Sequence, residues 1–477
     1  MKLAMHYIAE PISWLINCSF AAGVFPDILK QSCITPIFKS GDRSMMSNYR
    51  PISILPILSK IFEKCMSIRV LNYASKFSIL SPRQFGFREG MSTCDAILCY
   101  TDYIYKCLNA KHHSLSVFVD LKKAFDTVDH HVLLLKLEHY GIRGLPLLWL
   151  SSYLKDRKQS VKIGGSVSPF LETNIAVPQG SILGPILFLF FINDLPNASA
   201  MSTILFADDT TLSCSNHSYE VLVNETNSEL AGIVDWMKCN KLTINVDKTY
   251  CILFSNRRAS LSNDDAPLVL DGHALEIVQS GKFLGVTLDN RLSFNLHIDL
   301  ICNKLSKIVG IFYKLHNLVP VMVLTKLYYS MVYPYLIYCN MAWGGAPKRH
   351  IDRLFALQKK IIRLVAGSGY LDHTSPLFYR LRILKLYDIH VYLLALHGFR
   401  MSRDGLFTYP DHSHDTRGGR CPAPAFQRLA GSVRSLSTSV PRTWNVLPPN
   451  VKACTTFRGF KRALFEFLLE KYIPQGE

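Results

Sequence analysis

The strongest single indication of the fold is the segment Ile204-Leu205-Phe206-Ala207-Asp208-Asp209-Thr210-Thr211-Leu212. Two apolar or β-branched runs flank a short acidic centre, which is the pattern of a tight β-hairpin. Asp is common in turns for purely local reasons, because its side chain hydrogen-bonds the nearby backbone. The flanking strands here are apolar enough to be buried, so we expect the turn to hold Asp208 and Asp209 rigidly.

A third carboxylate follows another predicted strand, since residues 115–121 alternate in character and Asp120 comes directly after Val117-Phe118-Val119. Neighbouring strands of one sheet would bring Asp120 to the same edge as Asp208 and Asp209. Three packed carboxylates repel one another unless cations neutralise them. Two Mg²⁺ ions held about 3.5–4 Å apart by carboxylates are a recurrent arrangement for phosphoryl transfer. The sequence therefore predicts a metal site at these aspartates.

The surrounding pattern predicts an α+β chain. Its central part should contain a helix at 122–140, an apolar helix at 178–193, the hairpin at 202–214, a helix at 219–237 and a strand at 248–254. This is the order of a split βαβ sheet with helices on one face. On either side we expect a strand at 34–39, a helix at 52–73, helices over 291–400, an irregular stretch at 404–442 and a last helix at about 456–472.

The chain has 477 residues, a length that suits about two to four domains. Its 53 Lys and Arg against 36 Asp and Glu give a net charge of +17, which favours a polyanionic partner such as nucleic acid. A merely basic protein would share this charge. The 13 cysteines form no C-x-x-C pair, which argues against a disulfide framework and a structural zinc site and favours inert thiols in a reducing compartment.

Membrane insertion is not expected. The first residues lack the continuous apolar core of a secretory signal. The most apolar run, Ile182 to Ile192, is far shorter than the ~20 residues that cross a bilayer. We therefore expect neither a signal peptide nor a transmembrane segment.

Several segments resemble, in the same order, motifs of the reverse transcriptases of non-LTR retrotransposons (LINE elements). Phe206-Ala207-Asp208-Asp209 is similar to the aromatic-x-Asp-Asp box of reverse transcriptases. Two segments are similar to finger motifs, Asn48-Tyr49-Arg50-Pro51-Ile52-Ser53 and Gln84-Phe85-Gly86-Phe87-Arg88. Residues 118–126 and 178–185 are similar to two palm motifs. Residues 282–286 are similar to the primer grip. Pro441-Arg442-Thr443-Trp444-Asn445 is similar to the C-terminal segment of jockey-like LINE polymerases. The resemblance covers about residues 30–345 well, and the C-terminal segment adds to it.

The resemblance implies a right-hand polymerase within the α+β class. Residues 1–114 would be the fingers and 115–290 the palm, with its split βαβ antiparallel sheet and the catalytic site. Residues 291–400 would be a helical thumb and 401–477 a basic C-terminal tail, where eleven Lys and Arg stand against six Asp and Glu.

The resemblance also implies a role for each candidate residue. Asp120, Asp208 and Asp209 would be the catalytic ligands of two Mg²⁺ ions, with Mn²⁺ as an alternative ion. The substrate-binding residues would be Phe125 under the sugar, Gln179 and Gly180 at the incoming nucleotide, Arg50 and Lys39 at the triphosphate, and Lys248, which would protonate pyrophosphate. Plainer interpretations are a core Phe125, a helix-starting turn at Gln179 and Gly180, and a solvated Lys39.

The implied partners are an RNA template, a DNA primer or RNA–DNA hybrid, and dNTPs, without a membrane. Such a protein would be intracellular, either nuclear or cytoplasmic. The sequence leaves its oligomeric state open.

Two other hypotheses remain. In the first, Met1 is an internal methionine of a longer frame, and the chain is a truncated remnant that lacks part of the fingers and binds nucleic acid without catalysis. In the second, the clustered aspartates belong to a phosphatase or nuclease. Such an enzyme would not need Gln179, Gly180, Phe125 or the segment Phe283-Leu284-Gly285.

Overall fold

The fold is taken from a computed structural model that describes residues 5–255, 267–409, 421–425 and 431–473. The helices are α1 (Met5–Ala22), α2 (Ile57–Lys76), α3 (Thr93–Asn109), α4 (His130–His139), α5 (Leu145–Leu154), α6 (Leu183–Ile192), α7 (Tyr219–Cys239), α8 (Asn295–Leu315), α9 (Val321–Leu327), α10 (Tyr333–Ile337), α11 (Asn340–Trp343), α12 (Lys348–Ala366), α13 (Ser375–Arg380), α14 (Leu386–Arg403), α15 (Leu436–Asn445), α16 (Pro449–Lys452) and α17 (Phe457–Glu470).

The strands are β1 (Gln31–Phe38), β2 (Tyr49–Ile54), β3 (His113–Val119), β4 (Arg157–Ile163), β5 (Ser166–Val167), β6 (Leu171–Thr173), β7 (Ser202–Phe206), β8 (Asp209–Asn216), β9 (Tyr250–Phe254), β10 (Val269–Leu270), β11 (His273–Ala274), β12 (Glu276–Ile277), β13 (Ser280–Phe283) and β14 (Val286–Asp289). This mixture of helices and strands confirms the α+β class.

A five-stranded sheet, which we call the central sheet, has the strand order β12-β9-β3-β8-β7. Strand β3 lies in the middle, antiparallel to both β8 and β9. All seven of its residues are buried. Such complete burial requires both faces of the sheet to be covered. It also fixes the position of Asp120, the residue that follows the strand.

Helices cover both faces of the central sheet. Val117 and Val119 pack into one core with α6, nine of whose ten residues are buried, and with the inner side of α7. The sequence predicted helices on one face only, whereas α3 covers the other face. Phe118 points the other way and packs into a second core with Tyr100 of α3. Because side chains alternate along a strand, one strand contributes to both cores.

A second sheet, which we call the N-terminal sheet, has the order β2-β1-β4, with the short strands β5 and β6 also paired to β4. Strands β1 and β2 form an antiparallel hairpin, and β1 runs parallel to β4. Strand β1 mixes buried, half-buried and exposed positions. The N-terminal sheet is therefore more open to solvent than the central sheet.

Three predicted elements differ from the structure near the site. The helix expected at 122–140 is divided into a 3-10 turn at Ala124–Asp126 and α4, because the Asp129 carboxylate caps α4 by accepting the Val132 N–H at 2.9 Å. The helix expected at 178–193 begins only at Leu183. The strand expected at 248–254 begins at Tyr250.

The helix expected at 52–73 also begins later than predicted. Residues 52–54 belong to β2, where Ile52 pairs with Thr35 of β1, and α2 starts after Pro56. Proline disfavours the helical conformation of the residue before it, which explains this boundary.

The C-terminal part is more ordered than the sequence suggested. Helix α15 covers residues 436–442 of the stretch expected to be irregular, while 410–420 and 426–430 lie outside the described residues. Trp444 of α15 lies 5.7 Å from the rings of both Phe407 and Phe460, measured between centroids. Helix α14 crosses the predicted boundary at residue 400, and α15 and α17 pack against it.

Within the described ranges, no helix combines the length and the apolar character that crossing a bilayer would require.

Candidate active site

The two adjacent aspartates lie where the β7–β8 hairpin turns. Phe206 pairs with Asp209, so the loop consists of Ala207 and Asp208. Ala207 adopts a left-handed backbone with φ of +59°, a conformation that costs free energy for any residue with a Cβ. Its N–H donates to Gln84 Oε1 at 3.1 Å, and this bond helps to hold the turn.

The chain around Gln84 lies against β7 and supports the turn from outside. Phe85 N–H donates to the Leu205 carbonyl at 2.8 Å, and Leu205 N–H donates to the Arg83 carbonyl at 2.9 Å. A Cβ on Gly86 would lie 2.3 Å from the Ala207 nitrogen, so only glycine permits this approach. The acidic turn is therefore fixed by a segment more than a hundred residues earlier in the chain.

Asp120 comes next to this turn through the register of the central sheet. Val119 pairs with Thr210, so Asp120 and Asp209 are the next residues on adjacent strands. Side chains of directly opposed residues point to the same face, with Cβ atoms about 4.5–5.5 Å apart. The structure therefore brings together the three aspartates that the sequence singled out.

Asn245 and Thr249 hold Asp120 in place. The Asn245 side chain donates to Asp120 Oδ2 at 2.9 Å, and its backbone N–H donates to the Asp120 carbonyl at 2.8 Å. The Asp120 N–H donates to Thr249 Oγ1 at 3.2 Å, and that hydroxyl donates to the Asn245 carbonyl at 2.9 Å. The carboxylate and both backbone groups of Asp120 are thus engaged by one segment.

Desolvation and neighbouring carboxylates raise the pKa of both carboxyls in the turn. Loss of surrounding water, followed by repulsion from Asp208 and Asp120, raises the pKa of Asp209 to about 6. Desolvation and the Asp120 charge also raise the pKa of Asp208, while Arg50 and Lys39 act in the opposite direction. Such an excess of negative charge would be relieved by a bound cation.

The chemistry of the three aspartates fits a hard divalent cation. Mg²⁺ prefers oxygen ligands and keeps several waters or substrate oxygens, so it needs only one or two carboxylates per ion. Among the described residues, no three His, Cys, Asp or Glu side chains converge into a ready chelating group. The aspartates therefore suit a site that is completed by substrate oxygens rather than a closed protein cage.

Two cationic side chains lie on the N-terminal sheet near the carboxylates. Arg50 pairs with Ile37 across the β1–β2 hairpin, and Lys39 follows β1, with its N–H donating to the Asn48 carbonyl at 2.9 Å. Both side chains are exposed. Since both charges influence the pKa of Asp208, they lie within electrostatic reach of the acidic turn.

Phe125 is half-buried, and its ring lies between two other aromatic rings. The centroid of Phe188 in α6 is 4.6 Å away and that of Phe87 is 6.5 Å away. One part of the ring therefore packs on the core, and the rest stays accessible to a ligand.

Gln179 and Gly180 join the central region to the N-terminal sheet. The Gln179 amide donates to Asp126 Oδ1 at 2.7 Å, and its carbonyl accepts the Ser53 N–H at 2.7 Å. Gly180 has φ of +111°, and a Cβ there would lie 2.7 Å from the Ser53 carbonyl oxygen. Glycine is needed at this position for backbone packing, and the two residues do not open a helix as predicted.

Lys248 was predicted to open a strand, and this is wrong. It lies in the 3-10 turn Val246–Lys248, because the Lys248 N–H is used by the Asn245 carbonyl at 3.1 Å. Its exposed side chain lies within the segment that holds Asp120, between Asn245 and Thr249.

Sequence reasoning missed the supporting residues Gln84, Asn245, Thr249 and Glu63. Glu63 is completely buried on α2, and its Oε2 accepts the Ile182 N–H at 2.7 Å, next to the start of α6. Gln84 lies in a segment that the sequence had singled out, so that motif gave a signal for it. Asn245 and Thr249 lie on either side of Lys248, and that lysine was the nearest residue that the sequence had singled out.

Comparison with known proteins defines the class of this chain. Residues 32–288, more than half of it, match the model of the family described as reverse transcriptase (RNA-dependent DNA polymerase). The chain therefore belongs to the reverse transcriptase family. All nine candidate site residues lie inside the matched range.

Similar proteins show to which group of reverse transcriptases the chain is related. The chain is 31% identical over 377 residues to a probable RNA-directed DNA polymerase from transposon BS of Drosophila melanogaster, covering 75% of this chain and 41% of that protein. It is 28% identical over 389 residues to the RNA-directed DNA polymerase from mobile element jockey of the same species, covering 79% and 42%. The predicted resemblance to jockey-like non-LTR retrotransposon polymerases is confirmed. The chain spans less than half the length of these relatives.

Among solved structures, the chain is similar to telomerase from Candida albicans in complex with a fragment of telomeric RNA. The TM-score is 0.44 at 12% identity, covering 77% of this chain and 67% of that one.

Proposed function

We propose that the chain is an RNA-directed DNA polymerase of a non-LTR retrotransposon, which extends a primer 3′-hydroxyl and releases pyrophosphate. The observation that carries the proposal is the alignment of Asp120 beside Asp209 at the end of the central sheet, with Asp208 in the adjoining turn. Family membership supplies the reaction class, and the aspartates supply the site for it.

In this proposal Asp120, Asp208 and Asp209 hold two Mg²⁺ ions, or Mn²⁺ in their place. Bound divalent cations supply charge neutralisation and activation of a hydroxyl nucleophile. The protein contributes rigid carboxylates, because β3 is buried and Gln84 holds the β7–β8 turn through the Ala207 N–H. Positioning and electrostatic preorganisation therefore account for most of the rate.

The remaining candidate residues act on the nucleotide. Arg50 and Lys39 bind the triphosphate, since guanidinium and ammonium groups donate charge-assisted hydrogen bonds to phosphate oxygens. The accessible part of the Phe125 ring lies under the sugar and disfavours a ribose 2′-hydroxyl.

Gln179 and Gly180 line the place of the incoming nucleotide, and Lys248 protonates the departing pyrophosphate. Both assignments rest on the family resemblance. The first is supported by the hydrogen bond from Gln179 to Asp126. The second is supported by the place of Lys248 between Asn245 and Thr249, which engage Asp120.

The larger organisation follows the same proposal. Residues 1–114 form the fingers, 115–290 the palm, 291–400 the thumb and 401–477 the tail. The substrates are an RNA template, a DNA primer or RNA–DNA hybrid, and dNTPs, held by the basic surfaces of the chain. The chain would work inside the cell, in the nucleus or the cytoplasm.

Primer extension tests the proposal. Purified protein receives an RNA template, a labelled DNA primer, Mg²⁺ and dNTPs, beside the Asp208→Asn variant. The matched control is Asp235→Asn, which removes an exposed carboxylate of α7. Extension that Asp208→Asn abolishes and Asp235→Asn retains supports the proposal.

Other outcomes point to the alternative hypotheses. Binding of the primer–template without extension would identify an inactive remnant, a reading that three intact and well-supported aspartates disfavour. Hydrolysis of primer or dNTPs without extension would identify a phosphatase or nuclease.

A further inference from the structure

Two thiols that are distant in sequence meet at one point of the fold. Cys94 is the second residue of α3, and Cys339 lies between α10 and α11. Their Sγ atoms are 3.2 Å apart although 245 residues separate them in the chain. Contacts between α3 and α11 hold the two segments together.

Contacts between the neighbouring residues hold Cys94 and Cys339 close together. The Tyr338 hydroxyl lies 3.2 Å from Thr93 Oγ1 and donates to the Leu284 carbonyl at 2.6 Å. The residues just before each cysteine are therefore also in contact. The close approach of the two sulfurs is built into the packing.

The two cysteines differ in exposure and in pKa, so that Cys94 is the thiol that a reagent in solution reaches first. Cys94 is partly exposed and lies at a helix N-terminus, where the positive end of the dipole favours the thiolate. The hydrogen bond with Cys339 lowers the pKa of Cys94 to about 7. Cys339 is 2% exposed, and the same contact together with burial raises its pKa.

We propose that Cys94 and Cys339 are a modification site, a dithiol that closes to a reversible disulfide when it meets a small-molecule disulfide such as oxidised glutathione. The Cys94 thiolate attacks one glutathione sulfur, forms a mixed disulfide and releases one glutathione thiolate. The Cys339 thiol then passes its proton to the released glutathione thiolate and attacks Cys94 Sγ. The second glutathione leaves as a thiolate and takes up the proton that Cys94 had given to solvent. Two thiols of the protein are oxidised, and one glutathione disulfide is reduced to two thiols.

Closure requires only a small movement. A disulfide bond is about 2.05 Å long, so the sulfur atoms need to approach by about 1 Å. The new bond would tie α3, which packs on the central sheet, to the segment that carries α11. That segment also contacts the turn between β13 and β14, so the bond would restrain this hairpin relative to the central sheet.

Peptide mapping of the full chain tests the proposal without any assay of polymerase activity. The protein is incubated with oxidised glutathione, its remaining thiols are blocked with N-ethylmaleimide, and tryptic peptides are compared with and without dithiothreitol. We expect a peptide pair linked through Cys94 and Cys339 that separates on reduction. Free thiols at both positions, or a stable glutathione adduct on Cys94 alone, would overturn the proposal.

A matched variant assigns the link to Cys94. Cys99 is also on α3, is exposed, and shares a tryptic peptide with Cys94. The link should persist in Cys99→Ser and vanish in Cys94→Ser. A link that Cys99→Ser removes would contradict the assignment. Because the wild-type chain alone gives the mapping result, failure of a variant to fold leaves the test intact.

Discussion

The central sheet and the N-terminal sheet approach the candidate site from two sides, and they hold their charged side chains in opposite ways. Asp120 follows a strand whose seven residues are all buried, and Asn245 and Thr249 engage both its carboxylate and its backbone. Lys39 and Arg50 are exposed at the end of a more open hairpin. The negatively charged side of the site is therefore held in place before a ligand binds, whereas the positively charged side chains remain free to adapt to the ligand.

The largest effect on catalysis is expected when a carboxylate of the central sheet is replaced. Asp120→Asn keeps the shape of the side chain and removes its charge, so kcat for incorporation of a single nucleotide should fall on the order of 10³-fold or more. Circular dichroism should show unchanged folding, because Asn can keep the hydrogen bond from Asn245. A kcat close to that of the wild type would show that Asp120 lies outside the reaction.

Substitutions of the exposed cations of the N-terminal sheet should weaken binding of the nucleotide more than they slow turnover. Arg50→Ala removes a charge-assisted contact, so the KM for dNTP should rise by about 10–100-fold while kcat changes less. Lys39→Ala should give a smaller rise. Steady-state kinetics would measure both, with Lys162→Ala, an exposed cation on β4 of the same sheet, as the control. A fall in kcat at unchanged KM would remove the distinction between the two sheets.

Asn245 tests how much the bracing of Asp120 matters. It is a positioning residue, and residues that orient metal ligands typically contribute 10–100-fold to metal affinity or activity. We expect Asn245→Ala to raise the Mg²⁺ concentration for half-maximal activity about 10-fold, with the KM for dNTP unchanged. A rise in the KM for dNTP alone would place Asn245 at the nucleotide instead.

The raised pKa of Asp209 also predicts that metal binding depends on pH. The pKa of Asp209 is raised to about 6 in the folded chain, so below this pH the carboxyl is protonated and a metal ion must displace the proton. The half-maximal Mg²⁺ concentration should rise by up to about 10-fold for each pH unit below 6. Titrations between pH 5 and pH 8 would show this, and a flat profile would contradict it.

The same shift has a consequence for the metal-free protein. A folded-state pKa above the unfolded value means that the folded chain binds the proton more tightly, so stability rises as pH falls through about 6. Asp209→Asn should therefore raise the free energy of unfolding at pH 7 to 8, and this gain should vanish toward pH 4. Urea unfolding without Mg²⁺ would measure it, and a gain that is independent of pH would be the wrong result.

The sequence predicted the acidic turn and the strand before Asp120 because both depend on local patterns, period-two alternation and a short polar turn. It did not predict Gln84 or Asn245, since their contacts with Ala207 and Asp120 span 123 and 125 residues. Polar residues in loops leave no periodic signal. Predicted helix boundaries were wrong for a related reason. At Asp129, a single side-chain cap starts a new helix within the stretch that was predicted to be one continuous helix.

Counting bound metal would show whether Asp120, Asp208 and Asp209 form one divalent-cation site. Electron paramagnetic resonance would follow Mn²⁺ binding to the chain with a primer that lacks its 3′-hydroxyl, an RNA template and the matching dNTP. We expect two bound ions in the wild type and fewer, or much weaker, binding in Asp208→Asn. Equal number and affinity in the two proteins would contradict it.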